Sequence, residues 1–67
     1  MVADNCRRQD IYPGLLVDIV LKKNQPTGIL TRGYVFETLT NKKYHPRGIK
    51  VMLTDGQVGR VQRIIEE

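Results

Sequence analysis

The chain has no tryptophan and no serine, and it has one cysteine, Cys6, and one histidine, His45. Without serine there is no Ser-His-Asp constellation, and a Cys-His pair would have to recruit Cys6 from a polar N-terminal stretch. The chain is therefore expected not to be an enzyme. Cys6 and His45 are also the only thiolate and imidazole ligands, too few for a structural zinc site, which wants four ligands. No Gly-x-x-x-x-Gly-Lys-Ser/Thr run is present, so Lys22, Lys23, Gly28 and Gly33 do not make a phosphate-binding loop. No cofactor is expected. The lack of tryptophan and the small number of other aromatics disfavour a proline-peptide groove of the usual SH3 type. The N-terminus MVADNCRRQD has no apolar run, and no segment approaches the ~20 apolar residues of a membrane span. With a single cysteine, this leads us to expect a reducing, cytoplasmic setting and no membrane association.

What is present is a small, basic chain of 67 residues with a net charge of +4. A domain of this size buries only about 60% of the surface of its unfolded chain, so stability must come from one compact apolar core. The charge is unevenly spread. Residues 1–21 carry a net −1 and residues 64–67 a net −2, whereas residues 22–63 carry +7 from nine Lys and Arg against Glu37 and Asp55. A positive field of this kind favours polyanions as partners, although it also suits a merely soluble surface.

Residues 1–11 are polar and without period and read as a flexible arm, leaving residues 12–65 as a single small barrel domain. Pro13-Gly14 marks entry to the first strand. In Leu15–Leu21 the residues Leu15, Val17, Ile19 and Leu21 alternate with an outer set that includes Leu16, Asp18 and Val20. Residues 22–32 read as a long loop pinned by Ile29 and Leu30. Gly33–Leu39 is the next strand, and its facing stays open. Either Val35 and Leu39 point inward with Tyr34 and Phe36 exposed, or the aromatics fill the core. Thr40–Arg47 is a polar, basic loop.

Gly48–Ile64 reads as a hairpin about Asp55-Gly56. A two-residue turn would place Arg60 beside Val51 on the inner face. A three-residue turn with a left-handed Gly56 and a bulge instead pairs Val61 with Ile49 and sets Lys50 opposite Arg60 outside. The second register buries no charge and is preferred. Asp55 and Gly56 are read as structural turn residues, and Gly59 as a site of a bulge or close backbone approach. The expected fold is all-β: a small SH3-like barrel of four to five short antiparallel strands, with at most one helical turn, near Gln62–Ile65. Its expected core is Val17, Ile19, Leu21, Ile49, Val51, Leu53 and Val61.

A set of motifs resembles the YwbE-type family of small uncharacterised proteins: Pro13-Gly14-Leu15, Val17 to Lys22, Thr27-Gly28, Leu30 to Gly33, Leu39-Thr40-Asn41, His45-Pro46, Gly48 to Val51 and Asp55 to Val61. The resemblance covers about residues 12–64 and brings no established activity. A looser similarity, in Val17 to Val20 and Gly33-Tyr34-Val35, is to KOW-type SH3-like barrels, which commonly bind RNA or protein.

Basic residues interleaved with aromatics carry the functional signal. Lys42, Lys43, Tyr44, His45 and Arg47 share one loop, and Lys50, Arg60 and Arg63 can share the outer face of the hairpin beside it. The cations would neutralise phosphates, while Tyr44, Tyr34 or Phe36 could stack on bases. His45 could contact phosphate or simply bond neighbouring backbone. The expected function is binding of RNA, or of single-stranded nucleic acid more generally, through its phosphate backbone by a monomer. The alternative is a protein-docking module on a ribonucleoprotein or an acidic protein surface.

Overall fold

The computed structural model describes residues 5–66. Four strands form a closed antiparallel barrel in which each strand pairs with the next in sequence and the last closes on the first: β1 (Leu16–Leu21), β2 (Leu30–Thr38), β3 (Lys50–Leu53) and β4 (Val58–Glu66). The protein is a small SH3-like barrel. Closure leaves no free sheet edge, which removes the usual template for edge-to-edge association.

Alternation builds the core. Leu15, Val17, Ile19, Ile49, Val51, Leu53 and Val61 are fully buried, with Val35 and Ile11 beside them, and Leu21 and Ile64 pack at the margin. Leu21 is therefore less central than its spacing predicts. Val35 resolves the facing of β2, since it lies inside while Tyr34 and Phe36 are exposed. Leu39 is exposed rather than inward. A register shift lies between Val35, opposite Leu53, and Glu37, opposite Met52. The extra residue, Phe36, keeps Glu37 outside where strict alternation would have turned it into the core. Gly33 faces inward, and a Cβ there would come within 2.7 Å of Leu53 Cδ1, so the leucine fills the space that the glycine leaves.

The hairpin takes the three-residue form. Leu53 N–H bonds the Gln57 carbonyl at 2.8 Å, Gly56 has φ +90°, and Lys50 lies opposite Arg60. The Asp55 carboxylate accepts from the Gln57 backbone N–H (3.1 Å) and side-chain amide (2.7 Å). These bonds, led by the side-chain one, hold its pKa below the ordinary value.

Four expectations are corrected. Residues 5–11 are not a loose arm: Ile49 N–H bonds the Asn5 carbonyl, His45 N–H that of Cys6, and Arg8 N–H that of Lys43, at 2.8–2.9 Å, with Ile11 in the core. Residues 1–4 lie outside the described residues. Ile29 and Leu30 are exposed, and the loop is shorter than expected because Leu30 already belongs to β2, opposite Val20. Residues 62–65 belong to β4, and the only helical turns among the described residues are 3-10 turns at Arg8–Asp10 and Lys22–Asn24. The outer set of β1 is not fully exposed: Asp18 is buried beneath Arg32, and Val20 is buried at the floor of a surface hollow.

Asp18, 5% exposed, accepts from Arg32 Nε at 2.9 Å and Nη2 at 3.3 Å. The bidentate bond to Arg32 is the main cause of its lowered pKa. Burial opposes the shift, and Arg63, opposite Asp18 on β4, adds to it. A carboxyl whose folded pKa is depressed contributes stability above its unfolded pKa of about 4 and loses it as pH falls through the folded value. The melting temperature should therefore fall as pH drops below about 4. Asp18→Asn should start lower at neutral pH and show a shallower acid decline. Parallel pH profiles for the two proteins would contradict the assignment.

Candidate functional site

Inward placement of Ile19 and Val61 puts their neighbours Val20 and Arg60 on the outside, where the strand registers assemble one row across the barrel. Leu30 of β2 lies opposite Val20 of β1, Val20 opposite Arg60 of β4, and Arg60 opposite Lys50 of β3. Over this row run two adjoining hollows that share Val20, Gln25 and Arg60. One continues to Arg47, Gln62, Leu30 and Gly28, the other to Lys22, Lys50, Val58 and Gly59. Together they form an open groove with an apolar floor, amide walls and four cationic side chains, and none of the described residues lining it is a carboxylate.

The groove is built, not assembled from loose lysines. Arg60 is half-buried, and one of its guanidinium N–H groups donates to the Gly48 carbonyl at 3.1 Å. This fixes the head group while leaving the rest of the fork for a ligand. Gln62 Nε2 donates to the Arg47 carbonyl at 3.0 Å, tying the end of the 40s loop to β4. Gly48 itself has φ +101°, and a Cβ there would run into the Val61 carbonyl. Gly59 lies under the same region, where a Cβ would sit 2.5 Å from the Val20 carbonyl, so the two backbones approach closely.

His45 records the convergence of charge. Its pKa is pushed below the ordinary value first by desolvation and then by Arg60, Lys42 and Arg47. Its Nδ1 accepts from the Arg47 N–H at 3.2 Å. The neighbouring-backbone role therefore applies, and the ring also lies within the field of the groove cations.

The eight residues singled out from the sequence thus divide. Arg47, Lys50 and Arg60 line the groove, His45 lies within the field of Arg60 and Arg47, and Lys42 acts on His45. Lys43 and Tyr44 instead line a separate hollow with Arg7, Arg8 and Gln9, where Arg7 forms a β-bridge to Tyr44. Arg63 lies opposite Asp18, away from the groove lining. Sequence reasoning missed Lys22 and Gln25, which the 3-10 turn after β1 carries into the groove. It also missed Arg7 and Arg8. Their only visible signal was an Arg pair in a segment of net negative charge.

Residues 4–64 match the model of a family described as "Uncharacterized conserved protein (DUF2196)". The chain belongs to this family. It is also 57% identical over 58 residues to "Uncharacterized protein YwbE" of Bacillus subtilis (strain 168), a match covering 87% of this chain and 89% of that protein. The YwbE-type resemblance carried by the motifs is thereby established. No solved structure matches the chain significantly.

Proposed function

We propose that this protein binds nucleic acid, RNA above all, by laying a phosphate backbone in the groove over β1, β4 and β3. The observation that carries the reading is the groove's lining: Lys22, Arg47, Lys50 and Arg60, with no carboxylate among the described residues that line it. An ordinary solubilising surface intersperses both signs. A groove of one sign focuses its field and attracts a polyanion. Arginine suits this role, because its planar fork can bond phosphate oxygens in pairs.

Binding should be strongly salt-dependent. If the four cations each displace a counterion from a single strand, log K falls against log salt with a slope of about −3. A docking module on an acidic protein surface would show a weaker dependence and no competition by nucleic acid. A fluorescence-anisotropy titration of labelled mixed-sequence RNA at several salt concentrations decides between them. The same titration carries a pH signature. Desolvation and the neighbouring cations disfavour the protonated form of His45, and its protonation at acid pH adds a cation beside the groove. Affinity should therefore rise as pH falls below the ordinary imidazole value of about 6.5, and the rise should vanish in His45→Gln. Equal affinities across this range would remove His45 from the binding surface.

A further inference from the structure

We infer that the partner is a single strand with unpaired bases, its bases stacking on the outer face of β2 at Tyr34 and Phe36 while its phosphates follow the groove. This inference rests on the nucleic-acid reading above and names the form of nucleic acid that the site takes.

Leu30 lies at the groove, and the outward residues that follow it on the same strand are Arg32, Tyr34 and Phe36. Two residues of extended chain span about 6.6 Å, so groups on this face follow one another at a spacing that lets each ring meet a different base. Tyr34 is 53% exposed and Phe36 57% exposed. For a chain with only four aromatic residues, placing two of them outward on one strand of a closed barrel forgoes a large apolar contribution to a small core. The bulge at Phe36 makes this arrangement definite, because it fixes Phe36 and Glu37 outside together.

Arg32 sits between groove and rings. Its guanidinium is held by both oxygens of Asp18 yet keeps 57% of its side chain exposed, so a planar cationic surface is presented in a fixed orientation. Such a plane stacks on bases as the rings do. Charge then orders the strand. Phosphates are favoured over Lys22, Lys50, Arg60 and Arg47, whereas Glu37 beside Phe36 repels them and can accept from the exocyclic amine of a base. A duplex keeps its bases stacked inside and offers these rings nothing, so it can engage only the groove.

The test compares three probes at equal salt: a mixed-sequence RNA of about twelve nucleotides, the same RNA annealed to its complement, and inorganic polyphosphate. The wild-type protein should bind the single strand at least about tenfold more tightly than the duplex, which corresponds to one base stacked on a ring. A Tyr34→Ala/Phe36→Ala double variant should lose that preference and leave duplex and polyphosphate binding unchanged, with the same salt slope. Because the chain has no tryptophan, Phe36→Trp introduces a single indole. Its emission should be quenched by the single strand and not by polyphosphate, a readout that does not depend on the double variant folding. Equal binding of strand and duplex, or an indole indifferent to RNA, would overturn the inference while leaving the groove's affinity for polyanions standing. If wild type bound none of the three probes, the nucleic-acid reading itself would fail.

Discussion

Gly48→Ala is expected to leave the protein largely unfolded at room temperature, whereas Gly56→Ala should cost only about 1 kcal/mol. Both glycines have left-handed backbone, at φ +101° and +90°, so the conformational penalty of adding a Cβ is similar. Their surroundings differ. Nothing lies within 4 Å of a Cβ at Gly56, while at Gly48 the new atom meets the Val61 carbonyl. That carbonyl also accepts from Asn5 Nδ2 at 2.8 Å, and Val61 N–H bonds Ile49 at 2.9 Å, so the backbone cannot move aside without breaking the junction of β4, the 40s loop and residues 5–11. Strain and disrupted pairing together should exceed about 3 kcal/mol, comparable to the whole stability that a single small core supplies. Thermal melts of the two variants beside wild type check this. Similar melting temperatures for both would show that the close approach at Gly48 is not what holds this junction.

Replacing Arg47, Lys50 and Arg60 together by alanine should abolish measurable RNA binding at moderate salt and flatten the salt slope from about −3 to about −0.7, since each lost phosphate contact removes about 0.7. A matched control is available in Lys23 and Arg63, basic residues outside the groove lining. Their double replacement removes two charges against the three of the groove variant and should lower affinity only modestly. If both sets weakened binding in proportion to net charge alone, the groove would have no special role. Arg60 also donates to Gly48, so its replacement can loosen the 40s loop. Lys22→Ala/Lys50→Ala, which disturbs no such bond, separates the two effects through an unchanged melting temperature and a slope reduced by about 1.4.

The legible parts of this protein were those set by local rules. Alternation in Leu15–Leu21 identifies its buried side, and a glycine in the hairpin turn, combined with the need to keep Arg60 out of the core, selects the register with Lys50 opposite Arg60. The rest depends on distant segments. Nothing in the polar residues 5–11 signals that their backbone pairs with the 40s loop, and hence that Arg7 and Arg8 join Lys43 and Tyr44. Asp18 stands at an outward position of β1, and its burial follows from Arg32, fourteen residues on, closing over it. The facing of Tyr34 and Phe36 could not be decided from spacing, because a bulge resets the period within β2. The cations clustered in sequence from Lys42 to Arg47 part in space. Arg47 goes to the groove and Lys43 to the hollow beside residues 7–9, because an irregular loop obeys no face rule.

A chemical-shift titration of isotope-labelled protein with a short mixed-sequence RNA at low salt tests the assignment of the groove most directly. The expected result is a contiguous set of shifting amides at Lys22, Gln25, Arg47, Lys50, Arg60 and Gln62, extending onto β2, with the Asp55–Gln57 turn silent. The contradictory result is no shift at any accessible RNA concentration, or shifts centred on the turn and away from the groove.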